Sequence, residues 1–189
     1  MTSKRGRPQC DAGISVDLIL TTSLEMLEQT GPHGFSMRAL ASSLKITPMA
    51  IYHYFPSRAA LMKALSDAVY SQVVKNFESA QGGERVKIKH LLTSYYQMGL
   101  RYPNLTLTVF STPEAFSTEA KRITDLLSEL LEATALSPKR RQMWLDILID
   151  FTHGSAIATA MVRRSNVTSA KKQSLRYFQQ LDELLDQMF

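Results

Sequence analysis

The chain is poor in several things, and each shortage excludes something. It has one cysteine, Cys10, in 189 residues. No intrachain disulfide can form, which fits a reducing compartment, so a cytoplasmic location is expected. Glycine (8) and proline (7) are scarce. Few stretches alternate with period two, so strands have little support. No uninterrupted run of about 18 apolar residues occurs, which speaks against a membrane span. The basic start is not followed by an apolar stretch of signal-peptide length, so secretion is not expected. His33, His53, His90 and His153 are scattered without metal-ligand spacing. There is no Gly-rich phosphate loop and no GxSxG elbow. No metal, cofactor or enzymatic activity is expected.

What remains is helical. Apolar residues make up 44% of the chain and charged residues 21%, ordinary for a globular protein. The apolar positions recur at helical spacing, which predicts an all-α fold of about nine helices. The formal net charge of +5 is a mild excess, and its one dense patch is the start, SKRGRP. Residues 1–12 read as a flexible basic arm. A first helix over 14–29 carries Val16, Leu20, Leu24 and Leu27 on one stripe. The breakers Gly31, Pro32 and Gly34 end it. Ser36 is a good N-cap for a short helix over 37–44. Thr47 caps the next helix, with Pro48 in its first position, and Pro56 ends it. Ser57 opens a longer helix reaching residue 79, and five more helices are expected over 84–189.

Two short helices joined by about three residues make a helix-turn-helix, steadied by the first helix. On the second short helix Ile51 and Phe55 share the inner face. Met49, Ala50, Tyr52 and His53 are left outside, near the helix start. Such a surface suits a DNA major groove, which admits a helix and shows each base pair a distinct pattern. Met49 and Ala50 can meet thymine methyls. Thr47, Tyr52 and His53 can bond phosphates or bases. Ser57 with Arg58, and Ser36 with Arg38, sit at helix starts suited to phosphate. The plainer alternative is a three-helix subdomain with surface aromatics.

Residues 14–61 resemble the DNA-binding domain of TetR-family transcriptional regulators. The resemblance is carried by Gly-x-x-Gly-Phe (31–35), Ser-Met-Arg-x-Leu-Ala (36–41) and Thr-Pro-x-x-Ile-Tyr-x-Tyr-Phe-Pro-Ser-Arg-x-x-Leu (47–61). Arg58 stands where the family usually has lysine. Lys45 stands where it often has glycine, and lysine in a left-handed turn is modestly strained. The resemblance implies a DNA-binding domain over 13–66 and an effector-binding and dimerisation domain over 67–189. It also implies a homodimer on a palindromic operator, released by a small molecule. The arm would then meet the minor groove through Arg5 and Arg7.

The second domain is less specific. A long helix over 138–164 is apolar nearly all round in its middle, and Gly154, Ala156, Ala158 and Ala160 allow close approach. The last helix shows a stripe of Leu175, Phe178, Leu181, Leu185 and Met188. These two helices could pair with their twofold copies. Tyr95, Tyr96, Met98, Phe110, Phe116, Trp144, Asp150, Phe151 and His153 are the candidate effector pocket. Asp146 and Asp150 lie four apart and would suit a cation if buried. Core packing is the competing role for each aromatic. A rival reading of the whole chain is a helical adaptor that binds protein and not DNA.

Overall fold

A computed structural model describes residues 14–189. The arm over 1–12, with Arg5, Arg7 and Cys10, lies outside the described residues. Among the described residues the chain is helical throughout: α1 (Val16–Gly34), α2 (Met37–Ser43), α3 (Pro48–Tyr54), α4 (Arg58–Glu78), α5 (Glu84–Arg101), α6 (Pro103–Ser111), α7 (Thr118–Glu132), α8 (Pro138–Ser165) and α9 (Val167–Asp186). A single 3-10 turn, Pro113–Ala115, joins α6 to α7.

The boundaries follow local chemistry. Ser15, Ser36, Thr47, Ser57, Ser117 and Asn166 each accept a backbone N–H three residues on, capping α1, α2, α3, α4, α7 and α9. Proline occupies the start of α3, α6 and α8, where its missing N–H has no intrahelical partner to lose. α1 ends differently from expectation. Gly31, at φ 74°, kinks it, and Pro32 starts one more turn before Phe35. Only glycine enters that conformation freely.

α1, α2 and α3 form a small head around Leu27, Leu40, Ile51 and Leu61, all fully buried. α4 runs unbroken past residue 66, so head and body share one helix. In the body, α5 packs between α4, α8 and α9. Gly99 makes the α5–α8 approach close, since a Cβ there would stand 3.0 Å from Ala156 Cβ. Tyr96 stacks on Tyr177 with centroids 4.0 Å apart, and the Tyr96 hydroxyl meets Thr159 Oγ1 and Ser174 Oγ at 3.0 Å.

α8 bears on the membrane expectation. Its best 18-residue window has a mean hydropathy of 1.3, long and apolar enough by composition to cross a membrane. The few charges inside it had masked this. Only 33% of that window is buried, although the helix packs on α5, α7 and α9. Its outer face carries Met143, Ile147, Gly154, Ala158 and Met161, all exposed. Of the small residues, Ala156 and Ala160 are the buried pair. On α9, Phe178, Leu181, Leu185 and Met188 turn inward as the stripe predicts, while Leu175 is 60% exposed.

Candidate nucleic-acid interface

The link between α2 and α3 is tight. Leu44 N–H donates to Leu40, and Ile46 N–H donates to the Ala41 carbonyl at 3.0 Å. This closure puts Lys45 at φ 57°, the left-handed region the sequence suggested. Ile51 and Phe55 are buried against the head, which fixes the rotation of α3. Met49 is then 73% exposed and Tyr52 40% exposed. His53 is exposed and Ala50 half-buried. Tyr54 donates its hydroxyl to the Ile14 carbonyl at 3.2 Å and meets the His53 ring edge-on at 5.5 Å. That bond ties the recognition-type helix to the start of α1.

The hydroxyls expected near phosphate are helix caps. Ser36 accepts from Ala39 N–H at 3.1 Å, Thr47 from Ala50 at 3.3 Å, and Ser57 from Ala60 at 3.0 Å. Each hydroxyl keeps its own proton to donate. Arg38 is exposed one residue into α2. Arg58 points elsewhere. Its Nη2 donates to the Pro32 carbonyl at 3.0 Å, and its guanidinium sits 5.8 Å from the Phe35 ring centre. Arg58 thus braces the Gly31 kink from the start of α4. No local pattern signals this brace, because the partners lie 26 residues apart.

The effector candidates divide. Tyr95, Phe110 and His153 come together. His153 meets the Tyr95 ring at 4.9 Å and the Phe110 ring at 4.5 Å, and its Nε2 is bonded to the Tyr95 hydroxyl. Burial pushes the His153 imidazole down to about 4, against a smaller upward pull from Asp150. It is therefore neutral at neutral pH, and its buried Nδ1 has no partner among the described residues. Tyr70, absent from the sequence-based set, lies 5.6 Å from Tyr95. Desolvation holds both phenols protonated, above the usual tyrosine range.

The other candidates separate from that cluster. Tyr96 is core, and Phe151 stacks on Tyr177 at 5.3 Å. Trp144 is buried in the first half of α8, with no partner for its indole N–H among the described residues. Phe116 is half-exposed just before the Ser117 cap, outside the buried face that α7 forms with Ala120, Ile123, Leu127 and Leu131. Asp146 and Asp150 both face outward, which removes the buried pair a cation would need. Met98 lines a different hollow, between α1, α4 and α5.

Sequence reading also missed the seam between head and body. Glu28 on α1 accepts Leu105 N–H at 2.9 Å and Asn104 N–H at 3.3 Å, capping α6 from outside. Asn104 Nδ2 returns bonds to the carbonyls of Leu27 and Glu28. Burial raises the Glu28 pKa, offset in part by those amides.

Comparison with known proteins bears on both halves. Residues 19–65 match the family described as bacterial regulatory proteins, tetR family. An uncharacterized HTH-type transcriptional regulator, YuxN of Bacillus subtilis (strain 168), is 29% identical over 83 residues. That match covers 42% of this chain and 28% of the relative's length. The fold extends further. A variant TetR from Acinetobacter baumannii AYE, in complex with minocycline, superposes with a TM-score of 0.71 at 20% identity, covering 92% of this chain and 96% of that one. BioQ with its double-stranded DNA operator superposes with a TM-score of 0.67 at 17% identity, covering 92% and 98%.

Proposed function

We propose that the chain is a member of the tetR family of bacterial regulatory proteins, which its residues 19–65 match, and that it acts as a DNA-binding transcriptional regulator. In this reading a homodimer occupies a palindromic operator, represses by excluding polymerase, and lets go when a small molecule binds the body. The observation that carries it is the outer face of α3. Ile51 and Phe55 hold the helix down, and Met49, Tyr52 and His53 are exposed on its outer side. Exposed apolar and aromatic side chains at a helix start are costly surface unless something covers them. A major groove covers them and reads them. Arg5, Arg7 and Arg38 would add phosphate or minor-groove contacts.

The dimer reading rests on α8 and α9. A helix as apolar as α8 but one-third buried leaves surface for a partner. Nothing lies within 4 Å of the Cβ position at Gly154, so a second backbone can approach there. Twofold pairing would set two α3 helices about 34 Å apart, one turn of DNA. The effector reading rests on the Tyr95–Phe110–His153 cluster, which offers aromatic faces and one free imidazole nitrogen.

The testing experiment is an in vitro selection of genomic fragments by the purified chain at moderate salt. Enrichment of a palindrome is expected. A helical adaptor would enrich no sequence and would show no steep salt dependence.

A further inference from the structure

We propose that the cleft between α1, α4 and the end of α5 is a binding site for a small amphipathic carboxylate. This site is distinct from the aromatic cluster in the body. Leu20 and Leu24 of α1, Leu65 and Val69 of α4, and Met98 of α5 give it an apolar lining. The hollow is about 200 Å³. Pockets for drug-sized ligands run about 300–1,000 Å³, so the occupant is small.

The rim fixes its charge. Thr21, Gln72 and Arg101 stand at the mouth, and no carboxylate lines the cleft. Arg101 is exposed, forms no ion pair among the described residues, and lies 5.2 Å from the Tyr102 ring centre. The acids of α1 on either side, Asp17, Glu25 and Glu28, do not line the cleft, and the Glu28 carboxylate is held by the α6 amides. A guanidinium fork beside an apolar slot matches a singly charged carboxylate with a short hydrocarbon tail. A phosphate, with two charges, would call for a second cation. Such an occupant would touch head and body at once.

The probe is sodium octanoate, with octan-1-ol as the uncharged control, titrated into the full chain by calorimetry. Two variants locate the site. Ala68→Phe fills the cleft from an exposed position on α4, and Arg101→Gln removes the charge. Melting curves without ligand check that both variants fold as the parent does. Octanoate is expected to bind the parent more tightly than octanol, and each variant should raise its Kd about tenfold or more, the scale of a lost charged hydrogen bond. No octanoate binding, equal affinity for octanol, or parental affinity in Ala68→Phe would each overturn the proposal.

Discussion

Glu28 and Leu105, 77 residues apart, are joined by a 2.9 Å bond from the Leu105 amide to the Glu28 carboxylate. A side chain of the head thus caps a helix of the body. Caps are worth about 1 kcal/mol, and this one satisfies two amides at once. Glu28→Ala should destabilise the chain by about 1–2 kcal/mol in urea unfolding. A change within a few tenths of a kcal/mol would mean water replaces the carboxylate freely.

Lys45 adopts a backbone conformation that disfavours any side chain with a Cβ. Lys45→Gly is expected to raise stability by about 0.5–1 kcal/mol, and Lys45→Val to lower it by more. Thermal melts of the two variants should bracket the parent. The same midpoint for all three would remove strain from the account of this turn.

Tyr52 is exposed, so Tyr52→Ala should leave the melting temperature within the range of ordinary surface changes. Its affinity for a selected operator is expected to fall about tenfold, the scale of one lost direct contact. Anisotropy titration measures this. Unchanged affinity would take Tyr52 off the contact surface.

His153 titrates against its own burial. Its folded pKa, about 4, lies below the ordinary value of 6.5. The unfolded chain therefore takes up the proton first as pH falls. The stability linked to neutral His153 is full above about pH 6.5 and is lost progressively toward pH 4. The whole step is at most about 3 kcal/mol, from the size of the shift. Glu28 runs the other way: its raised pKa favours the folded state at low pH, around the carboxylate range. His153→Gln should flatten the profile between about pH 6.5 and 4. An unaltered slope would assign the acid sensitivity elsewhere.

Leu175 and Met161 are exposed apolar side chains on the two helices proposed to pair. The double change Met161→Glu, Leu175→Glu is expected to yield a folded monomer by sedimentation, with operator affinity reduced strongly. A dimer of parental affinity would move the interface to another face.

Much of this fold could be read because its signals are local. Pro48, Pro103 and Pro138 mark helix starts, and Ser36, Thr47 and Ser57 mark caps, each acting within three residues. The outer face of α3 followed from Ile51 and Phe55 alone. Features made by distant pairs stayed hidden. Arg58 reads as a phosphate ligand in the sequence, which carries no local sign of its bond to the Pro32 carbonyl. Tyr96 and Phe151 looked as available as Tyr95 until Tyr177 was found between them. Hydrophobicity tells which side chains avoid water, but not which partner does the covering, so the α9 stripe does not distinguish exposed Leu175 from buried Leu181 and Leu185.

The length of α4 has a geometric consequence. Its 21 unbroken residues span about 31 Å at 1.5 Å per residue. The α3 contacts sit at one end and the Tyr70 side chain, beside the aromatic cluster, lies past the middle. A rigid rod of that length converts a tilt of about 5° at one end into roughly 3 Å of travel at the other. Hydrogen bonds to base edges fail over a fraction of that distance. Angular precision of a few degrees in the body is therefore enough to decide whether the head fits its groove.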